Sequence, residues 1–164
     1  MDPFVPVPED AVPVMLALAG LKPGETLVDL GSGDGRILVG AAKAGAKAVG
    51  VEASKDLAKS SRARLKSLGL SGSARVLNAR WRDADLRRAD VVALYLSGHA
   101  LGALAPKFRR ELREGARVVT FYFEIAGWAP RASLLLKPKG WRKLHPVYLY
   151  DRGSMPRRRR APSA

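Results

Sequence analysis

The feature that most narrows what this chain can fold into is Leu27-Val28-Asp29-Leu30-Gly31-Ser32-Gly33-Asp34-Gly35-Arg36, an apolar run that enters a turn holding three glycines in five residues. β-Compatible Thr26, Leu27 and Val28 precede the turn and an alanine-rich helical pattern over residues 37–44 follows it, so the order is strand, turn, helix. Glycine admits backbone angles closed to other residues, and missing side chains let a ligand approach the peptide groups and the amides of the helix start. The stretch reads as a nucleotide-cofactor loop. A second sign lies downstream, where residues 47–51 form a short buried strand ending in Glu52, 21 residues after Gly31. That is where a carboxylate accepts hydrogen bonds from ribose hydroxyls.

Glycine spacing separates the cofactor classes. Dinucleotide loops follow G-x-G-x-x-G, whereas Gly31, Gly33 and Gly35 alternate and Arg36 stands where the third glycine belongs. The pattern resembles motif I of class I S-adenosylmethionine-dependent methyltransferases, whose ligand has no pyrophosphate. Asp29 and Asp34 agree with this, because carboxylates repel phosphate and favour a cationic amine or sulfonium. The expected cofactor-binding set is Asp29, Gly31, Ser32, Gly33, Asp34, Gly35 and Glu52.

At 164 residues the chain fits one domain. It has no cysteine, which excludes disulfides, thiolate zinc sites and cysteine-nucleophile methyl transfer to C5 of pyrimidines. No apolar run reaches the ~20 residues of a spanning helix, and the start lacks a signal-peptide pattern, so a cytoplasmic protein is expected. Charge is uneven: residues 1–34 carry six acids and one base (net −5), residues 35–164 nine acids and 28 bases (net +19). A basic body of this kind either is a solvated face or meets a polyanion such as RNA or DNA.

Alternating prolines make residues 4–8 an extended arm. Asp10 is the N-cap of a short helix that tolerates Pro13 in its first turn and ends at Lys22-Pro23-Gly24. Strands follow at 26–31, 47–52, 74–78, 89–96 and 116–123, with helices at 35–44, 54–69 and 99–113. Segments 133–137 and 141–151, split by the Pro138-Lys139-Gly140 turn, form a terminal hairpin. The predicted fold class is α/β: a Rossmann-like, doubly wound, mostly parallel sheet with a C-terminal antiparallel hairpin and a reversed strand at one edge. The domain spans residues 1–151, with an N-terminal arm and helix over 1–23. Residues 152–164, with four consecutive arginines, are expected as a disordered tail.

Ligands bind outside the carboxyl ends of strands in such sheets, so residues just after each strand are the candidates. After the third strand Asn78 offers an amide donor and acceptor to a base edge, while Arg80 or Trp81 either covers an adenine face or lies on the sheet. Tyr95 ends the fourth strand, where class I enzymes put the group nearest the reactive methyl; the run is Leu-Tyr-Leu-Ser, not Asn-Pro-Pro-Tyr. After the fifth strand come Phe121-Tyr122-Phe123-Glu124 and Trp128. A carboxylate attracts an ammonium and apolar walls disfavour its charged form, so Glu124 and Trp128 join Tyr95 as catalytic candidates. Alternating aromatics in a strand are ordinarily core. His99 and His145 lack a metal or triad pattern and are expected to be structural.

From Val5 to about Tyr150 the chain resembles archaeal broad-specificity protein lysine methyltransferases and their mitochondrial relatives, a seven-strand family. The resemblance rests on VPVPEDAVPVMLALAGLKPGETLVDLGSGDGRI, AVGVE, ADVVALYL, RVVTFYFEIAGW and HPVYLYDRG. It implies S-adenosyl-L-methionine as cofactor, held by Asp29, Gly31, Gly33 and Glu52, with the N-terminal arm nearby, and N-methylation of lysines exposed on protein substrates by a monomer. Two positions depart: Arg80 replaces an acid, and Thr120-Phe121-Tyr122-Phe123 replaces Ser-His-Asp/Glu-Phe. Glu124 and Trp128 match. RNA methylation, or a non-catalytic module that binds cofactor or nucleic acid through the basic body and tail, are the alternatives.

Overall fold

The computed structural model describes residues 5–156. In chain order they form α1 (Ala11–Leu18), β1 (Thr26–Leu30), α2 (Arg36–Lys43), β2 (Lys47–Glu52), α3 (Lys55–Ser67) and β3 (Ala74–Asn78). Then come β4 (Val91–Leu94), α4 (Gly98–Glu111), β5 (Arg117–Phe121), β6 (Ala132–Leu136) and β7 (His145–Asp151). The strands make one sheet in the order β3-β2-β1-β4-β5-β7-β6. The first five are mutually parallel, and β7 is antiparallel to both β5 and β6. The α/β, mostly parallel class predicted from sequence is thus the class observed.

Helices cover both faces. Met15, Ile37, Leu38, Ala58 and Leu65 bring α1, α2 and α3 onto one face, while Leu101, Leu104 and Phe108 bring α4 onto the other. β4 is buried along its whole length, as a central parallel strand must be. The reversed strand is not at the edge, contrary to the sequence expectation. β7 buries Val147, Leu149 and Tyr150 and so suits an interior position, whereas Leu135 of β6 is 64% exposed and suits an edge. Because β7 runs backward, its first residue His145 lies at the same rim as the carboxyl ends of β1 to β5.

Several boundaries move: the fourth strand is Val91–Leu94 where 89–96 was expected, and the last begins at His145 where 141 was expected. Asp10 stands before α1 but does not cap it; its carboxylate instead accepts a hydrogen bond from the Lys139 N–H at 2.7 Å, tying the arm to the loop before β7. Residues 152–156 keep contact with the elements before them. Asp151 caps a 3₁₀ turn at Arg152–Ser154, Ala129 N–H donates to the Ser154 carbonyl at 3.0 Å, and Arg109 reaches the Pro156 carbonyl at 3.1 Å. The arginine run at 157–160, and the disorder expected of it, lie outside the described residues, as does Phe4. The fifth strand ends at Phe121, two residues early, with a consequence for the site.

Candidate cofactor and acceptor site

The glycine turn is built on left-handed backbone: φ is 79° at Gly31, 52° at Gly33 and 79° at Gly35. A Cβ at Gly31 would lie 2.8 Å from Leu96 Cδ2, and one at Gly35 only 2.2 Å from Ser61 Oγ, so the turn sits against β4's end and α3. Gly31 and Ser32 N–H both donate to the Val51 carbonyl, at 2.8 and 3.2 Å. Gly33 N–H donates to Glu52 Oε2 at 2.8 Å and Ser54 N–H to Oε1 at 2.7 Å. Two amides therefore fix the Glu52 carboxylate before any ligand arrives, and each oxygen keeps a lone pair for a hydroxyl donor.

Asp29 lies on the α1 face of β1 and is 2% exposed. Burial, and then the neighbouring carboxyls of Glu52 and Asp34, push its pKa up to about 8. No hydrogen bond among the described residues offsets that burial. A buried acid beside a second acid is a poor neighbour for a pyrophosphate and a good one for a cationic amino group. These residues fit S-adenosylmethionine: Glu52 suits its ribose hydroxyls and Asp29 its positive end.

Other expected cofactor residues take different parts. Asp34 is not a free anion facing the ligand. Although burial opposes ionisation, Arg36 (Nη2 to Oδ2, 2.6 Å) and then Arg64 (3.3 Å) hold its pKa below the usual carboxylate value. Arg36 also donates to the Val7 carbonyl at 2.6 Å, so this ion pair fastens the N-terminal arm to the turn. Ser32 is buried, its hydroxyl lies over Gly50, its N–H is bonded to β2 and its carbonyl accepts from Gly35 N–H at 2.9 Å, so it braces the loop from behind. Asn78 donates its amide to the carbonyls of Glu52 (2.9 Å) and Ala53 (3.1 Å), leaving its oxygen for a base edge. Trp81 packs on the α4-face core with the Arg82 guanidinium 4.6 Å above its ring, which is the sheet-covering alternative.

On the acceptor side the structure separates the three catalytic candidates. Tyr95 follows β4 at the rim, half-buried, its ring 5.3 Å from that of Phe121. Burial and then the nearby Tyr122 raise its pKa, so the phenol stays neutral. Glu124 is exposed and precedes Ile125, whose N–H donates to the Tyr150 hydroxyl at 3.1 Å. Trp128 is 6% exposed and packs edge-on against Phe108 and Tyr150 in the α4-face core. The indole supports the segment after β5 from behind and does not join Tyr95 and Asp29, which are on the other face.

Two residues given no functional part by the sequence stand at the rim. Tyr122 is 41% exposed with φ 72°, and its ring stacks on His145 at 5.0 Å. A signal existed: Phe121, Tyr122 and Phe123 are consecutive, and a period-two strand cannot bury three neighbours on one face.

The family model described as the ANTKMT methyltransferase domain matches residues 29–132, beginning at Asp29. The chain belongs to this methyltransferase family. It is 37% identical over 150 residues, 90% of this chain and 92% of the other, to a protein-lysine N-methyltransferase of Saccharolobus islandicus. To the adenine nucleotide translocase lysine N-methyltransferase of Mus musculus it is 34% identical over 79% of its own length and 57% of that protein's, so it spans little more than half of this relative. A solved RNA methyltransferase from Salinibacter ruber, in complex with S-adenosyl-L-homocysteine, superposes with a TM-score of 0.81 at 35% identity, covering 89% of this chain and 92% of that one. The methyltransferase uses S-adenosyl-L-methionine as its cofactor.

Proposed function

We propose that this methyltransferase N-methylates lysine side chains of other proteins. The likeness to the archaeal protein-lysine N-methyltransferase along nearly the whole of both chains carries the reading. Glu52 holds the ribose, Asp29 the amino end and the Asn78 oxygen the adenine edge, while Gly31, Gly33 and Gly35 give backbone access. S-adenosylmethionine supplies an electrophilic methyl group on a sulfonium. The protein must deliver a lysine nitrogen with a free lone pair, a form that is roughly one molecule in 2,500 at pH 7 for a pKa near 10.4. Loss of water around the bound amine, beside the positive charge of a sulfonium, lowers that pKa, and exposed Glu124 draws the ammonium in and passes its proton to solvent. We read the enzyme as a cytoplasmic monomer; among the described residues no helix is long and apolar enough to cross a membrane.

A second reading, RNA methylation, is favoured by the likeness to the Salinibacter ruber enzyme and by the +19 charge of residues 35–164. Incubation with methyl-labelled S-adenosylmethionine, cell protein and cell RNA separates the two. Label on lysine is expected; label confined to RNA would replace the first reading with the second.

A further inference from the structure

We propose that Tyr122 grips the acceptor amine, its ring forming with that of Tyr95 the slot through which a lysine side chain reaches the methyl group; this rests on the lysine reading above. The backbone points to it first. Phe123 N–H donates to the Phe121 carbonyl at 2.9 Å across Tyr122, whose φ is 72°. That is the left-handed form of the γ-turn, rare and strained for a residue with a Cβ. Among the described residues Tyr122 is the single non-glycine with positive φ. The strain is imposed from three sides: the γ-turn bond itself, Thr120 Oγ1 donating to the Phe123 carbonyl at 2.7 Å, and Tyr122 N–H donating to the Pro146 carbonyl at 2.8 Å. Strain maintained in this way marks a side chain that is needed where it stands.

Core packing does not account for the need. Phe121 next to it is fully buried and fills the core, whereas Tyr122 is 41% exposed. One face of its ring is backed by His145, at 29° and 5.0 Å, and Phe123 meets it edge-on at 4.6 Å. Trp141 in turn braces His145 at 4.5 Å. The result is a supported ring with area left open to solvent.

Its position completes the argument. In the parallel register Asp29 faces Ala93 and Ala93 faces Val119, so two residues on Gly31, Tyr95 and Phe121 form one row across the rim. Tyr122 follows that row two strand spacings, roughly 10 Å, from the glycine turn. A ligand whose ribose lies at Glu52 and whose amine lies at Asp29 leaves its reactive end toward Tyr95 and Tyr122. Two tyrosines there offer ring faces to an ammonium and phenol oxygens to its N–H groups.

Tyr122→Gly removes the ring and accepts the backbone without strain; Tyr122→Phe keeps the ring. Each full-length variant is assayed with labelled S-adenosylmethionine on a synthetic peptide spanning a lysine that the wild type methylates, alongside cofactor affinity by calorimetry and melting temperature. For Tyr122→Gly we expect kcat/KM for the peptide to fall roughly 10- to 30-fold, mostly through KM, the size of a desolvated cation–π contact. Its cofactor affinity is expected to be unchanged and its melting temperature equal or higher, and Tyr122→Phe should retain most activity. Wild-type kcat/KM in Tyr122→Gly would overturn the proposal, as would activity lost in step with cofactor affinity or melting temperature. Label found only in RNA would instead defeat the lysine reading itself, and a loss by Tyr122→Gly on RNA would then assign the ring to a nucleobase.

Discussion

Two turns at one rim of the sheet use the same backbone region and different chemistry. The turn after β1 reaches φ of 79°, 52° and 79° with glycines, and the turn after β5 reaches 72° with a tyrosine. In the first, missing side chains let α3, Leu96 and a ligand come against the main chain. In the second a side chain is retained where glycine would relieve strain of about 1–3 kcal/mol. Positive φ is thus a means of access at one end of the site and a means of presentation at the other.

Gly35→Ala tests the access side most severely, because the new methyl would lie 2.2 Å from Ser61 Oγ on a left-handed backbone. Cofactor affinity should fall more than about 100-fold and stability by about 2–3 kcal/mol, read by calorimetry and thermal melting. Glu52→Ala comes next: it strips the Gly33 and Ser54 amides of their shared acceptor, and affinity should fall roughly 10- to 100-fold.

Asp29→Asn has an effect that depends on pH. The folded carboxyl holds its proton to about 8 while an unfolded one loses it near 3.8, so the ligand-free wild type loses stability as pH rises between those values. Asp29→Asn should remove that slope and melt higher than wild type at pH 8. Cofactor affinity of the wild type should rise from pH 6 to pH 8, as a cationic ligand favours ionised Asp29, and stay flat in the variant. The smallest effect is the stability of Tyr122→Gly, a gain of up to about 1 kcal/mol; a loss of stability would erase the contrast between the two turns.

The access side was legible in the sequence for the reason the contrast gives. Glycine is chosen for its backbone, so Gly31, Gly33 and Gly35 announce their φ values, and the distance to Glu52 follows from the length of a helix and a strand. Tyr122 carries no mark of its φ: the three consecutive aromatics say only that they cannot all face the core, and the turn is seen only once the Pro146 carbonyl and Thr120 are found holding it. The ion pairing of Asp34 was only half legible, since Arg36 stands beside it in the chain but Arg64 comes from a helix away. The place of β7 was missed because edge or interior depends on which strand of the hairpin β5 pairs with, and both strands are apolar. Trp128 matches a family pattern, yet sequence does not say which face of the sheet an indole after β5 will take.

The reversal of β7 has a bearing on descent. Residues 137–144, which join Leu136 to His145 at the acceptor end, make no described side-chain hydrogen bond to Glu52 or to the glycine turn. Their described side-chain hydrogen bond runs to Asp10, Trp141 rests edge-on against Phe121 and His145, and Leu144 is 56% exposed. Trp141 aside, an eight-residue segment placed like this can be lengthened, shortened or rewritten while the donor half is inherited intact. In such a layout a lineage can change the molecule it methylates without relearning how to hold the methyl group.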